Sequence, residues 1–257
     1  MKITVLAGLC AGLLLAAGGA SADATSDALS KAGYDVVACR THDETQEKAD
    51  HDLVVTALQM LQQRNIAGAK ALLPQLRAAQ ARSPDAPFKP ELCGTTINIY
   101  SDQITDLLVV SGLLSKDPAL SKLSAALKGS PPYGSISYVL GWMEYEDHDY
   151  NAALADYSRG RLNAPDDVAI ASEYSSTLSA LGRSQDSYDA AAAFLIAHPM
   201  ISDHEKAILM RREGYALVDL GKLDDAEKAY GESLKLDPSS TVAKGELDYI
   251  KQQKAKH

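Results

Sequence analysis

Two stretches of this chain repeat one pattern of small, aromatic and proline residues. In the first, Gly141 is followed by Ala153, Tyr157, Gly160 and Pro165. In the second, Gly214 is followed by Ala226, Tyr230, Ser233 and Pro238, and the intervals are 12, 4, 3 and 5 residues both times. Small residues stand where two helices must approach closely. An aromatic follows one turn later, and a proline ends the second helix because it lacks the N–H that the helix needs. A self-similar helix–turn–helix unit of this kind cannot bury its apolar face alone, so it stacks on its neighbours as a solenoid. Solenoids usually present an extended surface to other proteins.

The net charge of −9 excludes nucleic acid and anionic membrane as default partners, since no basic face is available to neutralise phosphates. The lysines near the end (Lys251, Lys254, Lys256) read as the solvated last turn of a helix. Residues 1–22 read as a signal peptide. Lys2 is the positive start, Ile3–Ala17 the apolar stretch and Ala20-Ser21-Ala22 the A-x-A cleavage site. Cleavage removes one lysine and no acid, which takes the net charge from −9 to −10. Cys10 follows Leu9 rather than a small residue, which disfavours a lipid anchor. No later apolar run reaches membrane-spanning length, since Leu107–Leu114 is interrupted by Ser111 and Gly112. The expected location is therefore an exported, soluble one, with the bacterial periplasm as compartment.

Past the signal only Cys39 and Cys93 remain. An even cysteine count in an exported chain favours a disulfide. Closing that span of 54 residues constrains the unfolded chain by about 4 kcal/mol in the chain-entropy model. Two separate buried thiols are the alternative.

The rest of the chain reads as helical. Thr41-His42-Asp43-Glu44 fits a capping box, followed by a helix with Leu53, Ala57, Leu58 and Leu61 on one face. Asn65 is the expected stop. A second helix runs over 67–82 with a kink at Pro74, and three prolines between Ser83 and Pro90 mark an extended loop. A helix is expected over 96–114. Asp117-Pro118 then opens a short helix to Lys128, before a break at Lys128–Pro132. From Thr241 a last helix carries Val242, Leu247 and Ile250 as a narrow apolar stripe, suited to capping the final repeat.

From Gly134 onward the chain resembles the tetratricopeptide repeat (TPR) family. Leu140-Gly141, Tyr145, Tyr150, Ala153, Tyr157, Gly160 and Pro165 carry the resemblance in one unit. Gly214, Leu220-Gly221, Ala226, Tyr230 and Asp237-Pro238 carry it in another, which opens on the capping box Ser202-Asp203-His204-Glu205. Departures are Tyr145, displaced by one from the family's place, and Glu213, where the family has leucine. Pro199 falls 34 residues after Pro165, so a weaker unit lies between. Either Ser175 and Ser187 hold its glycine and alanine places, or a longer turn brings Tyr188 and Ala191 into the pattern. The resemblance covers a little under half the chain. It implies an all-α helix–turn–helix solenoid. The expected parts are a degenerate helical N-terminal region (23–130), repeats at 134–167, 168–201 (degenerate) and 207–240, and a capping helix (241–257).

A search for chemistry finds little. Asp147-His148-Asp149 falls at a helix–helix turn and provides no second histidine on its face. Cys39 and His42 lack the second pair that a structural zinc site needs. His51 and His198 have no catalytic context. There is no nucleophile elbow, phosphate-cradling loop or dinucleotide fingerprint. Neighbouring acids such as Glu144 with Glu146, or Asp224 with Asp225, read as a solvated face. No catalytic residue, metal or cofactor is expected.

The resemblance instead implies a peptide-binding groove on the first helix of each unit. Tyr138, Trp142 and Tyr145 are its expected residues in the first repeat, with Ser172, Ser176, Arg211 and Tyr215 at matching places in the next two. Packing of Trp142 as core between units is the alternative. The lysine and asparagine with which some family members grip a terminal carboxylate are replaced here by Tyr138 and Trp142, so that clamp is not expected. The expected function is a non-catalytic scaffold or adaptor of the cell envelope that binds a polypeptide partner. The alternatives are an enzyme or accessory subunit with its site in the N-terminal helices, and a self-associating structural protein.

Overall fold

A computed structural model describes residues 27, 29–31, 35–40, 42–101 and 104–256. The expected signal segment, Cys10 and Thr41 lie outside the described residues. In chain order the elements are β1 (Val37–Ala38), α1 (Glu44–Gln62), α2 (Ile66–Ala71), α3 (Leu73–Gln80), β2 (Glu91–Cys93), β3 (Thr96–Tyr100), α4 (Ile104–Lys116), a 3-10 turn (Pro118–Leu120) and β4 (Ser124–Lys128). Seven helices follow: α5 (Tyr133–Glu146), α6 (Tyr150–Asn163), α7 (Val168–Ala180), α8 (Ser184–Ala197), α9 (Asp203–Asp219), α10 (Leu223–Leu236) and α11 (Thr241–Lys254). The chain forms two compact units. Of the described residues, those up to His42 join those of 88–130, and Asp43–Pro87 joins those from Pro131 on.

The larger unit is the all-α solenoid. Four helix pairs turn in the same way: α1–α2, α5–α6, α7–α8 and α9–α10. Each turn places one residue in the left-handed region: Arg64 (φ 59), His148 (φ 62), Gly182 (φ 72) and Gly221 (φ 71). In each, the amide three positions past the last helical residue reaches back five residues. Asn65 N donates to Met60 O (2.8 Å), and Asp149, Arg183 and Lys222 donate to Glu144, Leu178 and Leu217 (2.9 Å each). This is a Schellman-type cap, and it satisfies carbonyls that the helix end leaves free. The N-terminal helices thus share the repeats' turn, although they lack the small–aromatic spacing. Their second arm is divided in two at Leu72, where Pro74 enters α3.

The repeated spacing has a direct packing cause. A Cβ added to Gly141 would lie 2.8 Å from the Tyr157 ring, and one on Gly214 would lie 2.8 Å from that of Tyr230. Both tyrosines are buried, as are Ala153 and Ala226. The middle unit resolves to the shorter register. Ser175 Oγ lies 2.8 Å from Ser187 Oγ, and Ala191, also buried, stands in the tyrosine's place. Hydroxyl–hydroxyl bonding thus replaces ring-on-glycine packing. The α11 helix closes the array, with Ala243 and Ile250 buried against Leu217, Ala226 and Tyr230. Ala243 holds the place expected for Val242, which is 62% exposed.

Polar groups dock α3 onto the first repeat. Asp156, buried on α6, accepts from Arg77 Nη1 (2.6 Å) and Gln80 Nε2 (2.8 Å). Arg77 also binds Glu144, and Gln80 reaches Ser137 Oγ at 3.1 Å. Buried Asp50 of α1 pairs with Arg82.

The smaller unit corrects the helical expectation for residues 96–128. It holds a four-stranded sheet in the order β1-β2-β3-β4, with β1 parallel to β2, β2 antiparallel to β3 and β3 parallel to β4. The sequence Thr-Ile-Asn-Ile-Tyr alternates, so Ile97 and Ile99 are buried while Thr96, Asn98 and Tyr100 are half-buried on the other face. Period two and β-branching specify a strand there. The helix begins only at Ile104. Gly94, with φ 66, opens the two-residue β2–β3 hairpin, whose primed turns require a positive φ at that place. Asp117 and Pro118 do start a turn, since Ala119 N donates to Asp117 Oδ1 (2.8 Å), but it stays 3-10 and leads into β4. The core is Ile97 and Ile99 packed with Leu29, Val36, Val110, Leu114 and Leu120. The caps near α1 and α2 also differ from expectation. Asp43 rather than Thr41 caps α1, and Asn65 starts α2 by accepting from Gly68 N.

Cys39 and Cys93 are bonded, at 1.95 Å between sulfurs. Beside them the fully buried Glu91 accepts from Arg40 N and Arg40 Nε, and its carboxylate lies 3.0 Å from His42 Nε2. Burial alone pushes this carboxyl up, but the hydrogen bonds from Arg40 and His42 outweigh it and hold the pKa below the usual value. No helix among the described residues is long and apolar enough to cross a membrane.

Candidate peptide-binding groove

The first helices of the three repeats, α5, α7 and α9, run side by side, and the shared glycine or serine place gives a common register. One residue past it stand Trp142, Ser176 and Tyr215; three before it stand Tyr138, Ser172 and Arg211. The structure brings some of these together and separates others.

A depression of about 250 Å³ is lined by Tyr145 of α5, Ser176, Ser179 and Ala180 of α7, and Arg212 and Tyr215 of α9. Tyr145, Ser176 and Tyr215 were expected there; Ser179 and Arg212 were not. The arginine anticipated at this face, Arg211, turns away and pairs with Asp237 Oδ2 at 3.2 Å. Arg212, one position along, takes its role because Ser172 and Glu173 of α7 hold its guanidinium while Asp237 holds that of Arg211. The signal available in the sequence was the i, i+3 spacing of Arg212 and Tyr215, which puts both on one helical face.

Arg212 is held from α7. Its Nε donates to Ser172 Oγ (2.9 Å) and its Nη2 to Glu173 Oε1 (3.3 Å). Ser172 is itself buried, so it positions the guanidinium rather than lining the depression. Burial raises the Glu173 pKa; Arg212 acts in the opposite sense and Glu146 adds to the rise. No hydrogen bond among the described residues uses Nη1 of Arg212. The depression therefore combines two aromatic walls, two serine hydroxyls and a cation with donors to spare.

Tyr138 packs against Tyr157, with ring centroids 6.3 Å apart, and burial raises the pKa of its hydroxyl. It supports the inter-helix packing. Tyr145 meets Tyr150 edge-on at 5.0 Å. Trp142 is half-buried and is not among the residues lining the depression.

The other groups singled out by the sequence have local partners. Asp147 pairs with Lys70, His148 Nδ1 lies 3.0 Å from Tyr150 Oη, and Asp149 caps α6 through Ala152 N. The His198 ring stacks at 4.3 Å on Phe194, and His51 faces Asp52 at 3.7 Å.

No family model and no curated protein matches this chain. Solved structures with similar helical arrangement include the first TPR domain of human RPAP3, at 21% identity over 49% of this chain and 95% of that one, with a TM-score of 0.45. The first TPR of Spaghetti (RPAP3), bound to the HSP90 peptide SRMEEVD, matches at 21% over 48% and 93%, with 0.43. A tetratricopeptide repeat protein from Parabacteroides merdae ATCC 43184 matches at 13% over 80% and 61%, with 0.48. The fold itself rests on this chain's own geometry: repeated Schellman turns, tyrosine-on-glycine contacts and a closing helix, a TPR-like helical solenoid.

Proposed function

We propose that this chain is a non-catalytic protein–protein interaction scaffold, exported to the cell envelope, that binds a polypeptide across α5, α7 and α9. The observation that carries the reading is the depression at Tyr145, Ser176, Ser179, Arg212 and Tyr215. Aromatic rings with polar tips beside an arginine are the residue types that dominate binding energy at protein interfaces. Nη1 of Arg212 offers donors to backbone or side-chain oxygens of an extended segment, Ser176 adds a hydroxyl, and Ser179, whose hydroxyl donates to Ser187 Oγ at 2.9 Å, is left to accept. The signal-like segment, cleaved after Ala22, supports export. The Cys39–Cys93 bridge is in keeping with an oxidising compartment.

The test uses the mature protein as bait in envelope extract, with Arg212→Ala and Tyr215→Ala carried in parallel. Each variant should lose about 2 kcal/mol or more of affinity for the captured partner. The circular-dichroism melting point should stay within a few degrees, because Tyr215 is 48% exposed. Trp142→Ala, by contrast, should leave binding intact. A partner retained by both variants would move the site elsewhere. A partner that proves to be the same chain, with mass rising with concentration, would favour self-association.

A further inference from the structure

The cross-link of the smaller unit is asymmetric in a way that a simple brace does not require. Cys39 follows β1 and is exposed, whereas Cys93 ends β2 and is half-buried. The parallel register Val37↔Glu91 and Ala38↔Leu92 sets the two cysteines side by side, one position further along. Sγ of Cys93 accepts a hydrogen bond from Asn98 Nδ2 at 3.3 Å. No side-chain donor among the described residues reaches Sγ of Cys39.

A disulfide opens when a thiolate attacks one sulfur and the other leaves with the bonding electron pair. The reaction speeds up with access to the attacked sulfur and with stabilisation of the departing thiolate. Here the two requirements fall on different cysteines. Cys39 is the accessible one. Cys93 has an amide N–H aimed at its sulfur, and a hydrogen bond to a charged acceptor is worth more than one to a neutral acceptor. Asn98 is placed for this by the sheet, since it sits opposite Glu91 on the same polar face as Cys93. Arg40, beside Cys39, is paired with Glu91 at 2.5 Å, and that carboxylate lies within 4.8 Å of both sulfurs, so the choice of attacked sulfur rests on the exposure of Cys39 and not on a neighbouring cation. The segment can also move after exchange, because β1 is joined to β2 through only two residue pairs.

We propose that Cys39–Cys93 is a thiol–disulfide exchange site, with Cys39 the attacked sulfur and Cys93 the leaving thiolate. The reaction partner is a small thiol or the dithiol of an oxidoreductase. Its thiolate bonds to Cys39 Sγ as the Cys39–Cys93 bond breaks, and the electron pair departs on Cys93 Sγ. A second partner thiolate then attacks the partner sulfur of the mixed disulfide and frees Cys39. Two partner thiols are oxidised to one disulfide for each bridge reduced, and their two protons end on Cys39 and Cys93.

The experiment treats the oxidised full chain with reduced glutathione, quenches with N-ethylmaleimide at short times and maps peptides by mass. The expected product carries glutathione on Cys39 and maleimide on Cys93. Its rate should lie within about tenfold of that for the urea-unfolded chain, as an accessible sulfur requires. Asn98→Leu should slow the reaction by about tenfold through loss of the leaving-group hydrogen bond. Glutathione on Cys93, an even mixture, or reaction only after unfolding would overturn the proposal. So would an unchanged rate in Asn98→Leu. Should that variant fold poorly, the adduct position in the unaltered chain still decides.

Discussion

Glu213 stands where the equivalent residue of the first repeat is the fully buried Leu140. Desolvation pushes its pKa up to about 7, and no charged neighbour contributes. Because the folded pKa exceeds the unfolded one, folding favours the protonated acid. The stability this gives is fully present below the ordinary glutamate range and is lost as pH rises through 7. Glu213→Leu should therefore raise stability by about 2 kcal/mol at pH 8 and by clearly less at pH 5. Urea melts at the two pH values check this, and an equal gain at both would refute the desolvation account. A second residue-scale test concerns Ser175 and Ala191. Ala191→Tyr alone should cost about 1–3 kcal/mol by overpacking, since the ring would meet Ser175 where other units have glycine. Adding Ser175→Gly should recover much of that, and a double-mutant cycle showing no coupling would contradict the shared register.

At the scale of elements, the turn is the most regular feature of the array. Two of its four left-handed positions are glycine, and two are Arg64 and His148. A side chain there costs about 1 kcal/mol through its Cβ. His148→Gly and Arg64→Gly are each expected to stabilise by about 0.5–1 kcal/mol, read as a small upward shift in Tm. Destabilisation by His148→Gly would mean that the contact of its ring with Tyr150 is worth more than the strain. The strand β3 teaches the complementary lesson. Its alternation was visible in Thr96–Tyr100, yet the apolar run that follows it invites one long helix. A strand this short is held by its pairing with β2 and β4, and a one-dimensional reading has no access to that pairing.

The whole molecule divides into a repeat array without cystine and a sheet unit that carries one. Losing the cross-link should release about 4 kcal/mol of unfolded-state constraint on the loop from Cys39 to Cys93, which carries α1–α3 of the array as well as part of the sheet unit. Hydrogen exchange in dithiothreitol should rise in residues 35–42 and in β2 while α5–α11 keep their protection. Equal loosening of the array would show that the units unfold as one.

Much of the repeat array was legible because its signals are local. Gly141 with Tyr157, Gly214 with Tyr230 and the turn glycines Gly182 and Gly221 each act within one helix pair, so spacing alone encodes them. The proposed groove was legible in part, since helical period set Tyr145, Ser176 and Tyr215 on one expected face and all three line the same depression. The choice of Arg212 over Arg211 depended on how α9 packs against α7, where Ser172 and Glu173 capture one guanidinium and Asp237 the other. Only the tertiary structure assigned Asp43–Pro87 to the same unit as Pro131 onward, and joined residues before Asp43 to the sheet. The physical reason is common to all three. Periodicity records which face of an element is apolar, whereas strand pairing, buried ion pairs and discontinuous units depend on contacts between residues far apart in the chain.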